Sequence, residues 1–197
     1  MLLGLLSLYK TDSLELTATI HQHADLVERC KQGDSRSYKE LYNHYSKAMY
    51  NTSLRILNNT AEAEDVLQEA FLDAFRNIQS FQNRSSFGAW LKQIVVNKSI
   101  NQLKKKKIDF IEMEKAGVEE WPEEQGANEK DTQMQVTKVI KAIQQLPHGY
   151  RTVLTLYLLE GYDHEEISEI LGVAESTTRT QYIRAKQKLL TLLKNGG

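Results

Sequence analysis

Between Asp163 and Lys188 the sequence DHEEISEILGVAESTTRTQYIRAKQK carries side chains suited to one kind of chemistry, the recognition of duplex DNA. Arg179, Thr180, Gln181, Arg184, Lys186 and Lys188 fall on what reads as the outer face of a helix, and from Glu175 to Lys194 five cations stand against one acid, a net of +4. Hydroxyls and guanidinium groups near the start of such a helix meet base edges, and later cations meet phosphates. A second cationic run extends from 84 to 107, with seven cations, no acid, and an unbroken Lys104 to Lys107. Phe87 and Trp90 within it suit stacking on unpaired bases, although aromatics at helical spacing are more often core.

Catalytic chemistry has no visible set. No P-loop, Gly-rich phosphate cradle or Ser/His/Asp grouping is present, so the expectation is a protein that is not an enzyme and takes no cofactor. The single cysteine, Cys30, excludes an internal disulfide and a cysteine-based zinc site, and suits a reducing cytoplasm. His21 and His23 lie close, but no second ligand pair accompanies them, so no metal is expected. The opening MLLGLLSLYK lacks the basic start and small-residue cleavage site of a signal peptide and is too short to span a bilayer, so no membrane insertion is expected.

The elements that must hold these groups are helices, because apolar residues recur at a 3.6 period throughout. Asp163 and Glu166 form a capping box, Ile167, Ile170 and Leu171 make one apolar stripe, and Gly172 ends the first helix of the pair. Ser176 or Thr177 caps the second, whose inner face is Tyr182, Ala185, Leu189 and Leu192 or Leu193. Two short helices joined in this way are a helix-turn-helix.

Upstream, Leu26, Val27 and Cys30 belong to a helix that Gly33 ends. A second runs from about Asp34 to Leu57 with Tyr38, Leu41, Tyr42, Tyr45, Met49 and Leu54 inward. Asn59 or Thr60 starts a third, Ala61 to Ile78, with an apolar stripe of Leu67, Ala70, Phe71, Ala74, Phe75 and Ile78. Its other face holds Asp65, Gln68, Glu69, Leu72, Asp73 and Arg76, and from Ala61 to Arg76 five acids face one base. Such a face repels DNA. Leu72 among exposed polar groups marks either a protein-binding surface or an incidental leucine. Ser85 or Ser86 caps the helix that reaches Lys107.

Residues 108 to 131 hold nine acids and two bases, interrupted by Gly117, Pro122 and Gly126. This reads as a linker, either a plain tether or a mimic of nucleic acid in a basic channel. Beyond it, Val136, Val139, Ile140 and Ile143 face inward up to Pro147, then Tyr150, Val153, Leu154, Tyr157 and Leu158 up to Gly161. The 197 residues thus divide into an N-terminal extension (1–21), a helical domain (22–107), the acidic linker (108–131) and a helix-turn-helix domain (132–197), an all-α chain of two small domains. The net charge of −1 conceals this segregation.

In that order the segments resemble a bacterial RNA polymerase sigma factor of the extracytoplasmic-function class. AEDVLQEAFLDAFRNIQSF (63–81) is similar to the family's clamp-binding helix and RSSFGAWLKQIVVNKSINQLKKKK (84–107) to its promoter-melting helix. LPHGYRTVLTLYLLEGYDHEEISEILGV (146–173), with the basic helix after it, is similar to its second DNA-binding domain. Ser168 and Thr178 depart from the pattern, standing where alanine and an aliphatic residue are usual.

The resemblance implies a transcription initiation factor. Asp65, Gln68, Glu69, Leu72 and Arg76 would dock on the clamp coiled coil of core RNA polymerase, whose flap would hold the second domain. Gln82, Asn83, Arg84, Ser85 and Ser86, with Trp90, would capture a flipped base of the −10 element. Lys98, Asn101, Lys104 and Lys105 would contact the duplex just upstream. Ser176, Thr177, Arg179 and Thr180 would read the −35 element, with Arg184 and Lys188 on phosphates. The linker would thread toward the polymerase active-site channel, and an anti-sigma factor is implied as a further partner. A stand-alone helix-turn-helix regulator is the alternative reading.

Overall fold

The computed structural model describes the backbone of residues 23–106 and 132–195, and the side chains of 23–106 and 138–194. The N-terminal extension, the acidic linker and the side chain of Val136 lie outside the described residues. The chain divides between Lys106 and Lys107 into two compact units. All described regular structure is helical.

In the first unit, α1 (Ala24–Lys31), α2 (Ser35–Leu57), α3 (Thr60–Arg76), a 3-10 turn (Ile78–Ser80) and α4 (Phe87–Lys105) follow one another. Each long helix begins where a short polar side chain satisfies an orphan amide. Asp34 accepts from the Arg36 N–H, Asn59 from Glu62 and Ser86 from Ala89, each at 3.1 Å. Asn58, at φ 54°, makes the left-handed turn that separates α2 from α3. The core joins Leu41, Met49 and Ile56 of α2 to Leu91, Val95, Ile100 and Leu103 of α4, and fully burying each such side chain stabilises by about 1.5–3 kcal/mol. Ala63, Ala70 and Ala74 of α3 have no exposed surface, so these small residues let α3 lie close to its neighbours.

The structure differs from three expectations. Tyr42 is 39% exposed despite its contact with Phe71, and Leu54 is half-buried. The inward face instead continues through Thr52, Ser53, Ile56 and Leu57, because Ser53 finds a buried partner in the Ser99 hydroxyl at 3.1 Å. Helix α3 stops at Arg76, and Ile78 is buried from the 3-10 turn.

In the second unit, α5 (Thr132–Gln144) is followed by α6 (His148–Leu154), which runs without a break into a π-helical segment, Thr155–Glu160. Then come α7 (His164–Leu171) and α8 (Glu175–Asn195). Val139, Ile143, Leu146, Tyr150, Leu154, Leu159, Ala185 and Leu189 share one core. The wider π turn displaces the burial register, so Leu156 and Leu159 are buried where spacing pointed to Tyr157 and Leu158, which are half-buried. The guanidinium of Arg151, a residue only 3% exposed, donates to the Leu146 carbonyl at 2.9 Å and the Gln144 carbonyl at 3.4 Å. It lies 2.6 Å from His148 Nδ1 and so ties the α5–α6 corner together.

Candidate nucleic-acid and protein interfaces

The helix-turn-helix closes as its capping chemistry dictates. Asp163 and Glu166 exchange reciprocal 2.8 Å bonds, and Gly172 takes the left-handed conformation at φ 73°. Helix α8 begins two or three residues earlier than expected. The amides of Thr177 and Thr178 donate to the Ala174 carbonyl, so Ser176 and Thr177 lie in the first turn and neither caps it.

The inner face of α8 is Thr178, Gln181, Ala185 and Leu189. Gln181, expected on the outer face, is 4% exposed, and Tyr182 is half-buried against Tyr157 at 4.6 Å. Thr178 is accommodated at its unusual position because its hydroxyl donates to the Glu175 carbonyl at 2.8 Å and faces the His164 ring at 3.2 Å. Ser176, Arg179, Thr180 and Lys188 are exposed, and Thr177 and Arg184 are half-buried. Arg179 is braced by Glu175, whose Oε1 accepts from Nε at 3.1 Å and Nη2 at 2.5 Å.

In the first unit the loop before α4 presents Gln82, Asn83, Arg84 and Ser85 to solvent. Asn83 sits at φ 55°, and its side-chain amide lies 3.4 Å from Glu28 of α1, which steadies the loop from below. Ser86 differs from these neighbours: it is buried, and its hydroxyl is committed to capping α4. Trp90 is half-buried, packed 5.0 Å from Phe81 and 5.7 Å from Phe87, so this aromatic cluster forms the floor beside the loop.

Helices α3 and α4 border an open groove of about 790 Å³ lined by Asp65, Gln68, Glu69 and Leu72 on one side and Lys98, Asn101, Lys104 and Lys105 on the other. Leu72 is 52% exposed in it. Groups read from sequence as two separate surfaces therefore meet along one edge. Lys98 crosses the groove, with Nζ 2.6 Å from Asp73 and 3.3 Å from Glu69. The Asp73 bond lifts its pKa above the ordinary lysine value, partial burial opposes this, and the Glu69 bond adds to the rise. Lys106 likewise pairs with Glu62. Asp73 and Glu62 as cross-helix partners were not legible in the sequence, since the register between α3 and α4 is set by packing.

Among the described residues no cluster of three or more His, Cys, Asp or Glu groups could hold a metal ion. Among them, too, no helix is long and apolar enough to cross a membrane. Cys30 is buried, and burial pushes its thiol up to about 11, well away from nucleophilic or metal-binding use.

The Sigma-70 region 2 family matches residues 41–108 and the Sigma-70 region 4 family matches residues 137–189. The ECF RNA polymerase sigma factor SigW of Bacillus subtilis is 32% identical over 182 residues, covering 86% of this chain and 95% of that relative. This chain belongs to the ECF sigma factors.

The RNA polymerase sigma-H factor of Pseudomonas aeruginosa is 31% identical over 87% of this chain and 93% of its own length. The same two-domain helical fold occurs in CnrH, solved in complex with the cytosolic domain of CnrY, at 20% identity and a TM-score of 0.52 over 87% of this chain and 97% of that one. It occurs as well in the sigma factor RpoE of Bartonella quintana, solved with the anti-sigma factor NepR, at 23% identity and a TM-score of 0.52 over 81% and 98% of the two chains. This sigma factor directs RNA polymerase to promoters and is not a stand-alone regulator. Region 2 takes in the α3–α4 groove and the Gln82–Ser86 loop, and region 4 takes in the helix-turn-helix.

Proposed function

We propose that this sigma factor holds polymerase and promoter through four sets of side chains. Asp65, Gln68, Glu69, Leu72 and Arg76 dock on the clamp coiled coil of core RNA polymerase, with Leu72 as the apolar anchor inside a polar rim. The loop Gln82 to Ser85, over the Phe81–Phe87–Trp90 floor, receives a base flipped from the −10 element. Unstacking a base costs a few kcal/mol, and exposed amide, hydroxyl and guanidinium groups beside an aromatic surface offset that cost. Asn101, Lys104 and Lys105 meet phosphates just upstream. Helix α8 reads the −35 element with Ser176, Thr177, Arg179 and Thr180, while Arg184 and Lys188 hold the backbone.

The observation that carries this reading is the α3–α4 groove, where an exposed leucine among acids faces a helix end rich in lysine. Acid suits a protein partner and lysine suits phosphate. Residues 108–131 thread toward the active-site channel, and the second domain rests on the polymerase flap. The protein acts in the cytoplasm and does no chemistry of its own, leaving RNA synthesis to polymerase. An anti-sigma factor, the kind of partner with which its structural neighbour from Bartonella quintana was solved, covers these faces when the factor is idle.

Fluorescence anisotropy on a labelled promoter fragment tests the division of labour. Adding core polymerase raises the affinity of the factor for that fragment by at least about tenfold, equivalent to ~1.4 kcal/mol. Equal affinity with and without polymerase would contradict it.

A further inference from the structure

We propose that Glu175 is a specificity-determining positioning residue: it braces the Arg179 guanidinium so that the free end of that group meets one base pair of the upstream promoter element. This rests on the reading of α8 as the −35 helix.

Both bonds from Arg179 to Glu175 converge on Oε1 and come from Nε and Nη2, the side edge of the guanidinium. Arginine carries five N–H donors in a fixed plane. Two are engaged, and of the other three, one on Nη1 and one on Nη2 form the end-on fork that matches O6 and N7 of guanine. The Arg179 side chain is 62% exposed and the Glu175 side chain 44%, so the pair is open to a ligand. An unbraced arginine on a helix surface reaches a phosphate as readily as a base, and ordering it on binding costs entropy that a brace has already removed.

Two simpler roles fit less well. A carboxylate in the first turn favours the helix dipole, but that role needs no partner four residues on. An exposed i,i+4 pair adds little to folding. Against DNA, a carboxylate at this surface repels phosphates and lowers affinity for every sequence. An acid that weakens binding in general and orders the one arginine near the start of the reading helix favours discrimination over affinity.

The test is selection by the reconstituted holoenzyme from promoter duplexes randomised in the upstream element, with the wild type, Glu175→Ala, Glu175→Asp, Arg179→Ala and the double variant Glu175→Ala/Arg179→Ala. Arg179→Ala flattens the preference at one position, by roughly 5- to 150-fold for loss of a bidentate contact. Glu175→Ala flattens that same position by about threefold or more while overall binding stays equal or tightens, a pair of effects that structural damage does not produce. Glu175→Asp keeps the charge but shortens the reach, and it too flattens the position. The double variant matches Arg179→Ala. If Arg179→Ala flattens a position and Glu175→Ala leaves it intact, the brace is refuted while the reading of α8 stands. A change at a different position would mean that Glu175 reads its own base, which also overturns the proposal. If Arg179→Ala flattens nothing, the reading of Arg179 fails and the brace with it.

Discussion

The ammonium of Lys98 on α4 lies 2.6 Å from Oδ2 of Asp73 on α3, so a cation within the basic run is spent inside the protein. Its side chain is 22% exposed and also reaches Glu69. Lys98→Ala therefore lowers stability by about 0.5–1 kcal/mol, the range of a partly exposed ion pair. The salt dependence of promoter binding by holoenzyme should barely move, whereas Lys105→Ala reduces its slope by about 0.9 if Lys105 meets a phosphate. Because the Lys98 pKa is raised in the folded state, the stabilisation is complete below the ordinary lysine value and is lost as pH rises through the folded one. Thermal melts and salt titrations of the two variants check both halves. A full unit of slope lost with Lys98→Ala would return Lys98 to the DNA surface.

Leu72 is the exposed apolar residue of the acidic face, and Gln68 precedes it by one turn. The double substitution Leu72→Ala with Gln68→Ala should weaken binding to core polymerase by at least about 1–2 kcal/mol, as loss of an interface anchor does, and leave the circular dichroism and melting of the free protein unchanged. Unchanged capture of polymerase in a pull-down would remove this face from the docking surface.

Arg151 is a buried cation held by two carbonyls and His148, and burial pulls its pKa below the ordinary arginine range. Arg151→Met strands those carbonyls and should cost about 2–3 kcal/mol. Arg151→Lys recovers little, since an ammonium cannot reproduce the planar fork. Amide hydrogen exchange within α6 and α8 reads this loss in the second unit alone. Protection equal to wild type in Arg151→Met would show the corner to be held by apolar packing.

How legible all this was in the sequence follows from the range of each interaction. The capping box at Asp163 and the stops at Gly33, Gly161 and Gly172 depend on residues a few positions apart, and they stand where spacing placed them. The burial of Gln181 was not legible, because a polar residue on an inner face is indistinguishable from an outer one until its partners are known, whereas Thr178 stands at a position where an aliphatic residue is usual. The π turn at Thr155–Glu160 carries no local signature and shifts the burial of the leucines within it. Among the site residues, the loop Gln82–Ser85, Arg179 and Lys188 are exposed, whereas Lys98 and Ser86 are engaged by Asp73 and the Ala89 amide.

The His164 ring stacks 4.5 Å from Tyr157, and its pKa is lowered, chiefly by burial and further by Arg179, with Glu175 and Asp163 opposing. The unfolded chain thus takes up this proton more readily. The helix-turn-helix is most stable above the ordinary histidine value and loses stability as pH falls toward the folded one. NMR titration of the His164 ring should give a midpoint below that of a free histidine, and His164→Phe should flatten the acid-side decline in α7 protection. A midpoint above the free value would contradict the burial argument.

Promoter-directed initiation by this factor is tested most directly by run-off transcription with core RNA polymerase, the factor and a panel of candidate promoter templates. A discrete transcript is expected that requires both factor and polymerase and that is lost when either promoter element is scrambled. If the factor binds such templates tightly by itself and its mixture with core polymerase yields no transcript on any of them, the central claim is wrong.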